Sequence, residues 1–171
     1  GPAGAPPPAA AAQPPFASGA AGGAAAIDLS SMTPKERFDR LYDRIMRAAE
    51  SGDENTVTQF TPMALAAYGM LDSIDSDARY DAALLRLHTG DIDGAAALAD
   101  TILKEQPGHL FGYIVEGTIA RFRKDDAGLQ QSYKAFLAHY DGEMKKGREE
   151  YKLHQTSLDD FRKTALAATG S

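Results

Sequence analysis

The sequence predicts an all-α fold of about three antiparallel helical hairpins, closed by a C-terminal capping helix and preceded by a disordered N-terminal segment. Apolar residues recur at helical spacing after residue 33, and no window shows the alternation of a half-buried strand. Glycine, proline and capping residues mark the ends of the helical segments. Small residues also recur 34 positions apart, as from Ala83 to Gly117, which is typical of helical repeat proteins.

The first 30 residues predict a disordered tether. Residues 1 to 26 carry no charge and consist mainly of Ala, Pro and Gly. Such a segment cannot bury enough apolar area to offset the entropy of ordering it. Because the chain begins with Gly-Pro rather than Met, we expect a spacer to a part of the protein upstream of Gly1, such as a membrane anchor. A plain disordered tail is the alternative.

The first hairpin shows two patterns of helix capping. Thr33 and Glu36, with a proline between them, form a capping box. Ser51 and Glu54 predict a second box at the start of the next helix. Pro62 lies within that helix, so we expect a kink there, or alternatively a new helix start at residues 61 and 62.

The segment HTGDIDGAAALADTILKEQP, residues 88–107, contains a helix together with both of its boundaries. Gly90 ends the preceding helix, Asp91 or Asp93 caps the new one, and Pro107 stops it. Its alanines are small for a helix that fills a core. Because small side chains let two helix axes approach to about 8 Å, we expect this helix to stack closely on a neighbour.

The terminal helix is predicted from Ser157, the expected N-cap, with Asp160 three positions later. Because repeat arrays need an end cap, we expect its apolar face to cover the last hairpin, and a partner-binding helix is the alternative. That face carries Leu158, Phe161, Ala165 and Leu166. The predicted boundaries are residues 31–171 for the whole domain, 33–73, 76–107 and 109–145 for the hairpins, and 157–168 for the terminal helix.

Residues 76–109 and the hairpin that follows share a pattern of small, turn, aromatic and closing residues, carried by Ala83, Gly90, Ala95, Pro107, Gly117, Tyr133 and Phe136. This pattern resembles that of the tetratricopeptide repeat family, most closely in residues 76–109. The positions that depart from it are Arg79, Arg86, Lys124 and Asp141. The resemblance implies a right-handed α-α superhelix in which each hairpin contacts only its neighbours.

The resemblance also implies a concave groove, lined by the first helix of each hairpin, that would bind a partner peptide or subunit. Large side chains in such a groove serve as anchors for the partner. The alternative is that several of them pack against neighbouring helices or beneath the terminal helix. The implied groove residues are Tyr42, Met46, Tyr80, Leu84, His88, Phe111, Ile114, Thr118, Arg121 and Phe122.

Composition and motifs argue against several other functions. The net charge of −6 argues against a nucleic-acid partner, and the absence of Cys removes thiolate catalysis and Cys-ligated zinc. No apolar stretch is long enough to span a bilayer, so we expect no membrane insertion within this chain. No nucleophile, zinc-protease or phosphate-loop motif is present, so we expect no catalysis and no cofactor.

The histidines suggest no metal site at the level of the sequence. Glu150 and His154 would share a helix face, but two ligands do not make a metal site. His109 follows a turn glycine, where a surface or capping role is expected.

The sequence therefore favours a non-catalytic protein–protein interaction module. The alternative is a structural or accessory subunit of a larger, membrane-associated assembly, held by the N-terminal tether. The partner's identity, the compartment and the oligomeric state stay open.

Overall fold

The computed structural model describes residues 29–171, so the predicted tether lies outside it apart from its last two residues. The described part is helical without a strand, which confirms the all-α fold class. None of its helices is both long enough and apolar enough to span a membrane. After a 3-10 turn at Leu29–Ser31 come α1 (Pro34–Glu50), α2 (Glu54–Gly69), α3 (Ser76–His88), α4 (Ile92–Glu105), α5 (Leu110–Phe122), α6 (Asp126–Met144), α7 (Glu149–Leu153) and α8 (Gln155–Thr169).

The chain divides between Leu71 and Asp72 into an N-terminal and a C-terminal unit, and each is described by itself. In the N-terminal unit, α1 packs against α2. The predicted capping box begins α1: the Glu36 N–H donates to the Thr33 hydroxyl, and the Thr33 N–H donates to the Glu36 carboxylate. The most buried apolar residues of this unit are Phe38, Ile45, Phe60 and Ala64.

The start of α2 corrects the prediction made for Ser51. The Asp53 side chain, not that of Ser51, accepts the hydrogen bond from the Thr56 N–H and caps the helix. Ser51 instead follows α1, where its hydroxyl donates to a backbone carbonyl of the last turn. The helix runs without interruption through Pro62, so a new start there is wrong. The neighbouring Thr61 is buried and donates its hydroxyl to the Val57 carbonyl.

Three helices of the C-terminal unit begin at an aspartate. The carboxylates of Asp75, Asp91 and Asp125 each accept a hydrogen bond from the backbone N–H three residues later, at 2.8 to 2.9 Å. A carboxylate at this position also complements the positive end of the helix. Asp91 rather than Asp93 is therefore the cap of α4. Gly90 precedes it with a φ of 82°, a conformation that glycine adopts without strain.

Small residues lie where the helices of the C-terminal unit meet. Ala83 on α3 and Ala95 on α4 are fully buried, and these two helices pack against each other. Gly117 on α5 is closely enclosed: a Cβ added there would lie 3.0 Å from Cζ of Phe161 on α8 and 3.4 Å from Cβ of Ser132 on α6. These small residues are therefore buried where helices meet, as predicted.

The C-terminal segment, which comprises α7 and α8, begins earlier than predicted. α8 starts at Gln155, so Ser157 lies inside the helix and is not its N-cap. Neither helix has a side-chain cap, and α7 was not predicted. α8 packs against α6, and its buried side chains join the core of the unit, as expected for a terminal cap. Those side chains are Leu158, Phe161 and Ala165.

Candidate functional site

The residues predicted to line a concave groove have different exposures in the structure. In the N-terminal unit, Tyr42 is buried and Met46 is half-buried. In the C-terminal unit, Tyr80, Phe111 and Ile114 are buried, Leu84 and Thr118 are half-buried, and His88, Arg121 and Phe122 are exposed.

Tyr80 and Phe111 are core residues rather than exposed anchors. Their rings stack with centroids 4.3 Å apart, and they are 2% and 0% exposed. The C-terminal segment covers them: the His154 ring meets both edge-on at 5.0 and 5.1 Å, and Tyr151 meets Phe111 at 5.4 Å. The resemblance to the repeat family implied that these two rings share one surface. The resemblance could not show that the chain's own C-terminal segment covers that surface.

A buried network fixes α7 to the rest of the unit. The Tyr151 hydroxyl donates to Glu143 at 2.6 Å and accepts a hydrogen bond from the Leu110 N–H at 2.9 Å. Arg148 donates to the same carboxylate at 3.0 Å. Burial opposes the charge of Glu143, but the hydrogen bonds from Lys146, Tyr151 and Arg148 outweigh it and hold the pKa of Glu143 below its ordinary value. Glu143 therefore stays ionised inside the fold.

His109 and His154 both lie against acidic side chains. His109 is fully buried and caps α5 through Nδ1, which accepts a hydrogen bond from the Phe111 N–H. Its Nε2 lies 2.9 Å from Glu150. The expected capping role is confirmed, whereas the surface position is wrong. Glu150 and His154, which we considered as a pair, therefore have different partners.

His154 lies between two carboxylates of α3. Its Nε2 is 2.7 Å from Oδ1 of Asp77 and 3.3 Å from Oδ1 of Asp81. All three side chains are largely buried: Asp77 is 13% exposed, Asp81 6% and His154 15%. No sequence pattern could indicate this cluster, because His154 and Asp77 are 77 positions apart.

A concave surface of the C-terminal unit lies between α4, α5 and α6, and we call it the acidic groove. Its volume is about 400 Å³. Its lining includes several small side chains. Of its charged residues, Asp100 lies on α4, Glu116 on α5, and Arg123 and Asp125 in the turn between α5 and α6. The lining residues are Ala96, Asp100, Glu116, Ile119, Ala120, Arg123, Asp125, Gly128, Gln131, Ser132 and Ala135. The groove was not predicted, since no spacing in the sequence relates residues of three helices to one surface.

Negative charge dominates the acidic groove. Burial, and then the nearby carboxylate of Asp100, raise the pKa of Glu116, so this half-buried carboxyl lies in a negative environment. Arg123 is the only basic residue of the lining, and its guanidinium donates to Asp93, which is not part of the lining. The groove therefore offers carboxylates to a cation.

Comparison with known proteins gives no independent assignment. Neither protein-family models, nor curated proteins, nor solved structures match this chain.

Proposed function

We propose that this chain is a non-catalytic protein–protein interaction module, with hairpins of tetratricopeptide-like type, that binds a cationic segment of a partner protein in the acidic groove. The observation that carries the proposal is the convergence of Asp100, Glu116 and Asp125 around one concave surface with a single arginine.

The shape of the acidic groove favours an extended cationic side chain over a bulky apolar anchor. Ala96, Ala120 and Ala135 leave room for an incoming side chain to reach the helix backbones. Glu116 is half-buried, so a cation that reaches it is partly shielded from water. Charge pairs in such a place are stronger than fully exposed ones. Arginine fits best, because its planar guanidinium can contact a carboxylate through two parallel hydrogen bonds.

The face that carries Tyr80 and Phe111 is a weaker candidate for the partner. In the structure it is covered by Tyr151 and His154 of the same chain. Of the residues predicted for the concave groove, Phe122 is 58% exposed at the end of α5, next to the lining residue Arg123. We propose it as an additional apolar contact at the edge of the acidic groove.

A peptide-binding assay with charge-matched variants tests this function. The probe is a synthetic arginine-rich helical peptide, and its reference is the same peptide with citrulline, which is neutral and nearly isosteric, in place of arginine. We expect the arginine peptide alone to bind. The double variant Asp100→Asn/Glu116→Gln should weaken binding by about fivefold or more, since each removed charge pair contributes on the order of 0.5–1 kcal/mol.

The control variant is Asp159→Asn/Asp160→Asn, which removes the same two charges from exposed positions on α8. It should bind the arginine peptide as the wild-type chain does. Equal weakening by both double variants would mean that net charge, not the acidic groove, attracts the peptide. Equal binding of the citrulline peptide would also contradict the proposal.

A further inference from the structure

We propose that Asp77, Asp81 and His154 form a binding site for one divalent transition-metal ion of the zinc class. These residues bring two carboxylates and one imidazole together inside the C-terminal unit. The site is separate from the acidic groove, so this proposal does not depend on the function proposed above.

The spacing of the three ligands fits a tetrahedral ion. Asp77 and Asp81 are four residues apart on α3 and therefore lie on the same helix face. One ligand atom from each residue lies within 4.8 Å of the others, and Nε2 of His154 is 2.7 and 3.3 Å from the two carboxylates. Zinc–nitrogen and zinc–oxygen bonds of about 2.0–2.1 Å place tetrahedral ligands about 3.3 Å apart. To reach that spacing, Nε2 of His154 would move about 0.6 Å away from Oδ1 of Asp77, while its present distance from Oδ1 of Asp81 already matches it.

The imidazole is held in position by contacts outside the cluster. His154 joins α7 to α8: its N–H donates to the Glu150 carbonyl, and its own carbonyl accepts from the Leu158 N–H. Its ring meets the rings of Tyr80 and Phe111 edge-on. These contacts direct Nε2 toward α3 before an ion binds, which reduces the loss of entropy on binding.

The set of ligands selects the class of metal. Calcium and magnesium prefer oxygen ligands alone, whereas imidazole together with carboxylates suits zinc and its neighbours among the transition metals. Three protein ligands leave a fourth position for water. Because two ligands come from α3 and the third from the junction of α7 and α8, a bound ion would join the C-terminal segment to α3 directly.

Isothermal titration of the untagged full chain with Zn²⁺ tests the site, with Ca²⁺ and Mg²⁺ as comparisons. We expect one Zn²⁺ per chain, no comparable binding of the other two ions, and a higher Tm with Zn²⁺ than with a chelator. Asp77→Asn, Asp81→Asn and His154→Ala should each weaken Zn²⁺ binding by about tenfold or more. The control His88→Ala changes an exposed histidine at the end of α3 and should bind as the wild-type chain does.

A second measurement needs no variant and therefore does not depend on their folding. Zn²⁺ should shift the NMR signals of the His154 ring in the wild-type chain before those of His88 and His139, which are exposed. Absence of Zn²⁺ binding by the folded wild-type chain would overturn the proposal. Zn²⁺ binding that persists in His154→Ala, or that is lost in His88→Ala, would overturn it as well.

Discussion

The environment of His109 determines its protonation state. The ring is fully buried, and because Nδ1 accepts a hydrogen bond from the Phe111 N–H, the proton of the neutral ring is on Nε2, directed toward Glu150. Burial disfavours the charged ring and lowers the pKa of His109, although Glu150 opposes this shift. A neutral histidine is therefore part of the cap of α5, and protonation would both charge a buried ring and remove the acceptor.

His109 should make the stability of the protein depend on pH. In the unfolded chain its pKa has the ordinary value of 6.5, and in the folded chain the value is lower. Between the two values the unfolded state binds more protons, so the free energy of unfolding decreases as pH falls through this window, and the loss is complete below the folded pKa. His109→Asn keeps an acceptor for the Phe111 N–H and removes the titrating ring.

Chemical denaturation at a series of pH values measures this effect. From about pH 7 to pH 5, His109→Asn should show a smaller decrease in stability than the wild-type chain, since this range includes the ordinary pKa of histidine. His88→Asn, at an exposed position, should keep the wild-type slope. An unchanged slope in His109→Asn would contradict the interpretation.

Two glycines in helices should respond in opposite directions to the same substitution. Gly117→Ala places a Cβ 3.0 Å from the Phe161 ring, so overpacking should destabilise the fold by about 1–3 kcal/mol. Gly142 lies in α6 with no atom within 4 Å of an added Cβ. Gly142→Ala should therefore stabilise the fold by up to about 1 kcal/mol, because alanine favours the helix. Urea denaturation measures the change in the free energy of unfolding for each variant. If both variants were stabilised, or both destabilised, the packing argument would be wrong.

At the scale of helices, α8 belongs to the core although it has no side-chain cap at its start. Its buried residues lie against α5 and α6, where Phe161 contacts Gly117 and the rings of Tyr133 and Phe136. A short helix without a cap is only marginally stable by itself. The packing of this face therefore stabilises α8, and in return α8 covers apolar surface of the preceding hairpin.

Truncation of the apolar face of α8 should be strongly destabilising. Phe161→Ala removes a ring that is 8% exposed and should decrease the free energy of unfolding by about 3–5 kcal/mol. Leu153→Ala, at the end of α7, changes a side chain that is 70% exposed and should alter stability by no more than about 0.5 kcal/mol. Chemical denaturation measures both changes. If Phe161→Ala changed the free energy of unfolding as little as Leu153→Ala, the capping role of α8 would be wrong.

At the scale of the whole molecule, function depends on which surfaces the chain covers with its own residues. In the C-terminal unit, the C-terminal segment covers the aromatic face at Tyr80 and Phe111, whereas the acidic groove between α4, α5 and α6 stays open. The net charge of −6 favours the approach of a cationic partner from a distance. The metal site uses α3 and the C-terminal segment, so the peptide and zinc experiments examine separate surfaces.

Local chemistry in the sequence determined the helices of this protein and much of their packing. The capping box at Thr33 and the small residues Ala83 and Gly117 were predictable, because helix periodicity, capping and steric size act over a few residues or at a regular repeat. The start of α4 was predicted only to a choice between Asp91 and Asp93. The wrong N-caps at Ser51 and Ser157 show that an acceptable capping residue is not always the one used.

Only the tertiary structure decided what covers each surface. The spacing of residues could place Tyr80 on a helix face, but it could not show that His154, far along the chain, would cover that ring and also reach Asp77. The acidic groove likewise depends on Asp100 and Glu116 meeting from different helices. Such contacts follow from the packing free energy of the whole unit, in which distant segments compete for the same apolar face, and no local pattern records the result of that competition.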